Sequence, residues 1–451
     1  MKRRAFLRNM GLAAAAVTLP GEVFSAPQEA RKTRKPNVIV ILADDQGYAD
    51  TGFTGCTDIP TPNIDSIARH GVHFTQGVVS HPYCSPTRAG LMTGRYQQRF
   101  GHECNPTYLP TDHSVGIPTS ELLVSDVLAG VGYVTGAVGK WHLGAAPPFH
   151  PNRRGFTEFY GFLGGGHDYM RSEATGKEYL DPLLRNDKPL PHPGYLTDAL
   201  SDEAAAFVRR HSDEPFLLYL AYNAPHAPMQ ATEEYLQRFE HIEDDKRRRY
   251  AAMVSCVDDG VGRVLQAVRE CGLENDTLIF FLSDNGGQTL WGADNTPLRG
   301  RKGAVYEGGF RVPFAAQWIG TLPQGARYEH PVSSLDIFVT AAAAAGAALP
   351  SDRVYDGRDV LPYVLGGKAG EPHERLFWRA GNGWNYAVRE SRYKLVGGKR
   401  LEKTELYDLS SDPCETTDIA AEKPDEVDRL SRAYEEWNRE MVPPRWPDPK
   451  A

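Results

Sequence analysis

Five short apolar runs limit this chain to few architectures: residues 38–42, 133–138, 216–221, 277–282 and 314–318. A strand with one face in water alternates apolar and polar residues, whereas a strand covered on both faces reads as a nearly continuous apolar run. Helical periodicity at 61–70, 120–129, 199–211 and 250–270 falls between several of the runs. Strands alternating with helices predict an α/β fold, a sheet with helices on both faces. The Pro- and Gly-rich stretches 145–151 and 161–166 are expected as long surface loops that touch substrate, and the small-residue run 341–348 as a packed helix.

A chain of 451 residues can bury one large core and a smaller one beside it. After about Gly370 the pattern becomes short runs at 376–378, 384–389, 393–396 and 405–409, separated by Gly/Asn and Gly-Gly turns. Val427, Leu430, Tyr434 and Trp437 then follow Pro424 at helical spacing. The expected division is residues 35–369 for the main domain and 370–451 for a small subdomain, an antiparallel sheet closed by one helix.

The first 26 residues read as an export signal. Lys2-Arg3-Arg4 precedes Phe6-Leu7 and an apolar run from Gly11 to Leu19 too short to span a bilayer. Paired arginines before Phe-Leu resemble the twin-arginine class; the alternative is a general secretory leader with a chance arginine pair. An exported protein, periplasmic or secreted, that uses export machinery and has no stable membrane insertion is expected. The net charge of −8 gives no basic footprint for nucleic acid. The spacings of Cys56, Cys84, Cys104, Cys256, Cys271 and Cys414 match no zinc pattern, and Cys256 reads as a small buried hydrophobe.

Polar residues follow directly on four of the predicted strands: Asp44-Asp45, Lys140 with His142, His226, and Asp284-Asn285. In open α/β sheets the site lies at the carboxyl edge of the strands. An isolated Asp-Asp is more often a solvated turn or cap. Two acidic or amide pairs at strand ends instead suit oxygen ligation of a hard divalent cation, calcium before magnesium. Lys140 and His142 are two residues apart and face the same way if 138–142 stays extended.

The pentapeptide Cys84-Ser85-Pro86-Thr87-Arg88 is the most specific feature. A bare C-x-P-x-R arises by chance, but Leu91, Thr93, Gly94 and Arg95 extend it. The order Asp-Asp, C-x-P-x-R, G-K-W-H-L-G, N-x-P-H-x-P, S-D-N-G-G and R-K-G-x-x-x-E-G-G resembles the type I, formylglycine-dependent sulfatases, arylsulfatase-like and most similar to bacterial carbohydrate sulfatases. The specific motifs run from about Pro36 to Pro313.

That resemblance implies the alkaline-phosphatase-like fold, with a large mixed, mostly parallel sheet, and a calcium-dependent sulfate ester hydrolase. It implies that a formylglycine-generating enzyme oxidises Cys84 to formylglycine. The hydrate attacks sulfur, and sulfate is then eliminated. Asp44, Asp45, Asp284 and Asn285 match the Ca2+ ligands, with modified Cys84 completing the shell. Arg88 and Lys140 match the cations that hold the hydrate. His142 matches the base that breaks down the intermediate, and His226 and Lys302 match the groups that bind sulfate and assist the leaving oxygen. The expected substrate is a sulfated saccharide, a galactose- or N-acetylgalactosamine-type unit of a polysaccharide, with aryl sulfates as artificial substrates.

Weaker readings attach to His102 and Glu103, and to His167 and Asp168, which either line the sugar pocket or are ordinary polar residues. Trp291 and Arg299 either meet a saccharide or are a core tryptophan and a solvated arginine. Glu307 is expected to hold its local turn. Two alternatives stand beside hydrolysis of a sulfate ester. One is a phosphodiester or phosphonate monoester hydrolase on the same fold. The other is a non-catalytic glycan-binding protein, which would have lost one of Cys84, Arg88, Lys140, His142 or His226.

Overall fold

In the computed structural model, which describes residues 34–172 and 179–447, the first apolar run forms β1 (Asn37–Ala43), buried along its whole length. Its side chains separate by alternation. Val38, Val40 and Leu42 enter one core, and Ile39, Ile41 and Ala43 the other, as the two-residue period of a strand requires. The export signal expected at residues 1–26 lies outside the described residues.

The following strands are β2 (Val72–Phe74), β3 (Gly77–Val78), β4 (Val134–Lys140), β5 (Glu158–Phe162), β6 (Leu183–Arg185), β7 (Lys188–Leu190) and β8 (Phe216–Ala221). After them come β9 (Thr277–Ser283), β10 (Phe314–Gln317), β11 (Ala326–Tyr328) and β12 (Val332–Ser333). The main sheet has the order β11-β2-β10-β9-β1-β8-β4-β5-β6-β7. Its centre, β9-β1-β8-β4-β5, is parallel. Helices Pro62–Arg69, Leu196–Arg210 and Asp245–Glu270 cover one face, with Cys256 packed among them. Helices Cys84–Thr93 and Asp336–Ala344 cover the other.

Two expectations need correction. The run at 314–318, expected as a covered parallel strand, is antiparallel to β9. Between β9 and β10 the chain forms only a 3-10 turn and the four-residue helix Glu307–Phe310, so no crossover helix returns it to the far edge for a parallel start. Conversely, the loop expected at 161–166 begins inside a parallel strand, β5. Glycines hide that strand from a hydrophobic pattern and also permit it. Gly161 opposes Gly139 across β4 and β5. A Cβ on Gly161 would come within 2.0 Å of the Gly139 carbonyl oxygen, and one on Gly139 within 1.9 Å of that of Ala221. The three backbones therefore close up directly beneath Lys140 and His142.

The C-terminal runs form an antiparallel meander of β13 (Arg375–Ala380), β14 (Asn385–Glu390), β15 (Tyr393–Gly397) and β16 (Glu405–Asp408). One face carries Val388, Leu395 and Leu406 against Leu430, Tyr434 and Trp437 of helix Pro424–Arg439. The other puts Trp378, Ala387, Val396 and Tyr407 into a main core. Trp378 stacks on Phe310 at 4.1 Å and donates to the Val79 carbonyl at 2.8 Å. Buried Lys394 reaches from β15 to Glu307 at 2.9 Å and Glu415 at 2.7 Å, so Glu307 holds its turn through an ion pair. The described residues from Lys35 onward make one compact unit, and the small sheet is a layer of it.

Candidate active site

Cys84 is the first residue of helix Cys84–Thr93, and all ten residues of that helix are buried. Arg88 lies one turn later on the same face. Its guanidinium donates to Asp284 Oδ2 from Nη2 at 2.7 Å and Nε at 3.0 Å, and from Nη1 to the Lys140 carbonyl at 3.1 Å. Asp44 and Asp45 leave β1, Lys140 ends β4, and Asp284 and Asn285 leave β9. The three strand ends therefore meet at one sheet edge, with Cys84 above them.

Three buried carboxylates face two buried cations, Arg88 and Lys140, and a third, Lys302, that keeps some exposure. Lys140 Nζ pairs with Asp44 Oδ2. Lys302 Nζ sits 2.5 Å from Asp45 Oδ1 and 3.2 Å from Cys84 Sγ. Burial pushes the Asp45 carboxyl up, but Lys302, His226 and a hydrogen bond from Asn285 outweigh it and hold it well below the usual range. Burial and the neighbouring Asp44 raise Asp284 despite Arg88. Burial also pushes the Cys84 thiol up to about 12, against the pull of Lys140 and Lys302. An unmodified thiol is thus a poor nucleophile in this pocket.

The donor set fits a hard divalent cation. Donor atoms of Asp44, Asp45, Cys84 and His226 lie within 4.8 Å of one another, and Asn285 Oδ1 is buried beside them without a hydrogen-bond partner. Asn285 Nδ2 donates to Asp45 Oδ1 at 2.7 Å. Asp284 stands at the same edge with Oδ2 engaged by Arg88 and Oδ1 accepting the Asp45 N–H at 3.3 Å.

His142 departs from the expectation that 138–142 stays extended. β4 stops at Lys140, and His142 takes φ 58°, in the left-handed region. Its N–H donates to the Leu163 carbonyl at 3.2 Å, which fastens the turn to the segment after β5. The ring lies against Gly165, where a Cβ would come within 2.6 Å of Nε2. Burial, then Lys140, Arg88 and Lys302, hold the imidazole well below its ordinary value and so neutral. His226 Nδ1 donates to the Ala227 carbonyl at 2.7 Å and turns Nε2 toward Asp45 Oδ2 at 3.7 Å. Burial pushes His226 down to about 3 in spite of Asp45.

Cys84, His142, His226 and Lys302 line a cavity of about 260 Å3. Glu103 also lines it, but its carboxylate is held by Arg379 at 2.6 Å and by the Asn382 N–H at 2.7 Å. His102 lies behind this wall, 2.6 Å from Ser85 Oγ. Both ring nitrogens of His167 meet backbone carbonyls, of Asp168 at 2.6 Å and Asp181 at 2.7 Å. Asp168 accepts the Met170 N–H at 2.9 Å and the Arg171 N–H at 3.1 Å. Trp291 is exposed, outside the residues that line the cavity. Arg299 packs over Tyr306 at 3.8 Å and donates to Tyr407 Oη at 2.7 Å, so it ties the segment between β9 and β10 to the small sheet.

Among the wall residues that sequence reasoning missed are Tyr83, Tyr179 and Gly381. Tyr179 stacks on the His226 ring at 6.2 Å. Gly381 lies in the turn between β13 and β14, so the C-terminal layer forms part of the pocket. Gly381-Asn382-Gly383 is a visible turn signal, but nothing local to it points toward Cys84.

The sulfatase family profile matches residues 36–347, and the profile of the N-sulphoglucosamine sulphohydrolase C-terminal region matches 301–435. The chain belongs to the sulfatase family of sulfuric ester hydrolases, and its fold is the alkaline-phosphatase-like sulfatase fold. It is 36% identical to N-acetylgalactosamine-6-sulfatase of Canis lupus familiaris over 74% of this chain and 66% of that one, about two thirds of the dog protein's length. With the Homo sapiens N-acetylgalactosamine-6-sulfatase it is 31% identical over 90% of this chain and 86% of the human one. The crystal structure of Ps i-CgsB in complex with k-i-k-neocarrahexaose superposes with a TM-score of 0.87 at 40% identity, covering 92% of this chain and 95% of that one.

Proposed function

We propose that this protein is an exported, calcium-dependent sulfatase that hydrolyses a sulfate ester on a galactose- or N-acetylgalactosamine-type unit of a polysaccharide, using a formylglycine made from Cys84. The observation that carries this reading is the convergence of Cys84, Lys302, His142 and His226 on one cavity, with the carboxylates of Asp44 and Asp45 close beside Cys84 and His226. Similarity to N-acetylgalactosamine-6-sulfatases and to a protein crystallised with a neocarrahexaose supports the saccharide class. Residues 1–26 are read as the leader, of twin-arginine type.

The roles follow from charge and proton inventory. Asp44, Asp45, Asp284 and Asn285 would hold Ca2+, which supplies positive charge and orients a sulfate oxygen. The three carboxylates are already matched by Arg88, Lys140 and Lys302, so a bound divalent cation leaves the pocket net positive, and a sulfate monoester offsets it. The aldehyde hydrate at residue 84 supplies one hydroxyl to attack sulfur and a second whose proton can be removed. Arg88 and Lys140 hold that residue's surroundings rigid from beneath. His142, neutral and facing the cavity, is the base for the second proton. His226 keeps one proton on Nδ1 for Ala227, and an entering sulfate anion favours a second on Nε2, which then serves the leaving oxygen. Lys302, nearest to residue 84, meets the sulfate directly.

The test is turnover of the purified, modified enzyme on defined sulfated galactan and galactosamine oligosaccharides, with aryl sulfate and aryl phosphodiester alongside. Release of sulfate from the saccharides supports the reading. Preference for the phosphodiester would favour the phosphohydrolase alternative, and saccharide binding without turnover the glycan-binding one.

A further inference from the structure

Ser85, the residue after the cysteine in the signature, has no part in the chemistry above, yet its hydroxyl is fully buried and makes two short contacts. Oγ lies 2.5 Å from the His142 carbonyl oxygen and 2.6 Å from His102 Nε2. A carbonyl only accepts, so the single hydroxyl proton belongs to the bond to His142. His102 must then donate from Nε2, which leaves Nδ1 bare, and that atom is buried without a partner. The proton order is fixed in one direction: His102 Nε2–H to Ser85, Ser85 O–H to the His142 carbonyl.

We infer that Ser85 and His102 are positioning residues that hold His142 in its left-handed backbone conformation and so keep its ring aimed at residue 84. A histidine in that region is strained by contact of its Cβ with the backbone, and the conformation persists only where the surroundings impose it. Two bonds do so. The His142 N–H is held by Leu163 and its carbonyl by Ser85.

The relay is itself backed by the C-terminal strap 441–446. Val442 and Arg445 donate from their N–H groups to the Gln98 and Gly101 carbonyls at 3.0 and 2.9 Å. Trp446 Nε1 donates to the Cys104 carbonyl at 3.1 Å, and its ring meets His102 edge-on at 4.8 Å. Asn105, on the same loop, accepts the Ser85 N–H at 3.1 Å. Burial pushes His102 down to about 3, consistent with a neutral ring having one proton to give.

The inference rests on reading His142 as the base of the second half-reaction, and the test separates the two. Ser85→Ala, with conversion of Cys84 checked by peptide mass spectrometry, is expected to keep KM within about twofold and to lower kcat about 10–100-fold. It should also release a pre-steady-state burst near one equivalent of phenol from an aryl sulfate, because only breakdown of the sulfated enzyme is slowed. His102→Leu should behave likewise. His102→Gln, whose amide keeps an N–H donor, should recover most of the rate, and this pair supplies the same comparison if Ser85→Ala folds poorly. A crystal structure of the unmodified Ser85→Ala protein should show the His142 peptide turned out of the left-handed region. A kcat within twofold of the parent, a slower kcat without a burst, or an unmoved His142 overturns the inference. If the parent itself turns over no sulfate ester, the functional reading fails, and the crystal comparison alone decides whether Ser85 positions His142.

Discussion

Replacing Lys394 with Met should cost this protein about 3–5 kcal/mol, because it removes the cation that two buried carboxylates share. Lys394 Nζ contacts Glu307 at 2.9 Å and Glu415 at 2.7 Å, with all three side chains inaccessible to solvent. It also lies 4.3 Å over the Phe310 ring. Burial pushes the Glu307 carboxyl up, but Lys394, Arg389 and Arg311 overcome it and hold the group down to about 2 from 4.5. A depressed carboxyl stabilises the fold above its unfolded value, so this contribution is present above pH 4.5 and lost as pH falls from 4.5 toward 2. Urea unfolding followed by tryptophan fluorescence at neutral pH should show the unfolding constant raised by about two to four powers of ten. Adding Glu415→Gln to Lys394→Met removes one of the two like charges and should recover more than half of the loss. A loss below about 1 kcal/mol, the size for an exposed pair, or a double variant no more stable than the single one, would refute the argument.

Peptide mass spectrometry of active enzyme should find formylglycine at position 84, and Cys84→Ser should lower turnover by about a thousandfold or more while substrate still binds; fully active enzyme with only thiol there would sink the mechanism. Exhaustive chelation should abolish activity that calcium restores in the parent but not in Asp284→Asn, measured as sulfate release. Burial, with Arg327 and Arg311, pushes His73 down to about 4 from 6.5. The unfolded chain therefore takes up that proton first, stability present above pH 6.5 is lost as pH falls from 6.5 to 4, and His73→Phe should flatten that stretch by at most about 3 kcal/mol in melting experiments. Changing Arg3 and Arg4 to Lys should retain the protein inside the cell with position 84 already oxidised, as fractionation and mass spectrometry would report; unimpaired export would return the leader to the general secretory class.

The sheet was readable because strands covered on both faces must be apolar on both faces, as Val38 to Leu42 and Phe216 to Ala221 are. Chemistry at their ends was readable for the same reason, since Asp44, Lys140, His226 and Asp284 break those patterns at one edge. The helix Cys84–Thr93 was not, because Pro86, Gly90 and two threonines give it no helical periodicity, and only burial of the whole segment holds it. β5 escaped notice because its glycine serves backbone approach rather than packing. The left-handed turn at His142 and the Ser85–His102 contact depend on partners distant in sequence, which no local pattern announces. Arg299 and Glu103 were weighed as sugar contacts from proximity in sequence to Lys302 and the signature. Their charges are instead bound up with Tyr407 and Arg379, on strands of the C-terminal sheet.

The strap that closes behind His102 reaches back 342 residues, from Trp446 to Cys104. On a ribosome adding about 5–20 residues per second, that separation is about 17–70 s of synthesis. Throughout that interval the loop behind Cys84 lacks its last support, and the segment around the cysteine can remain extended. On the proposed reading, an enzyme that oxidises Cys84 before the pocket shuts would be given tens of seconds by chain order alone, and a faster-translated or circularly permuted version of the gene would narrow that opening without altering a single atom of the finished site.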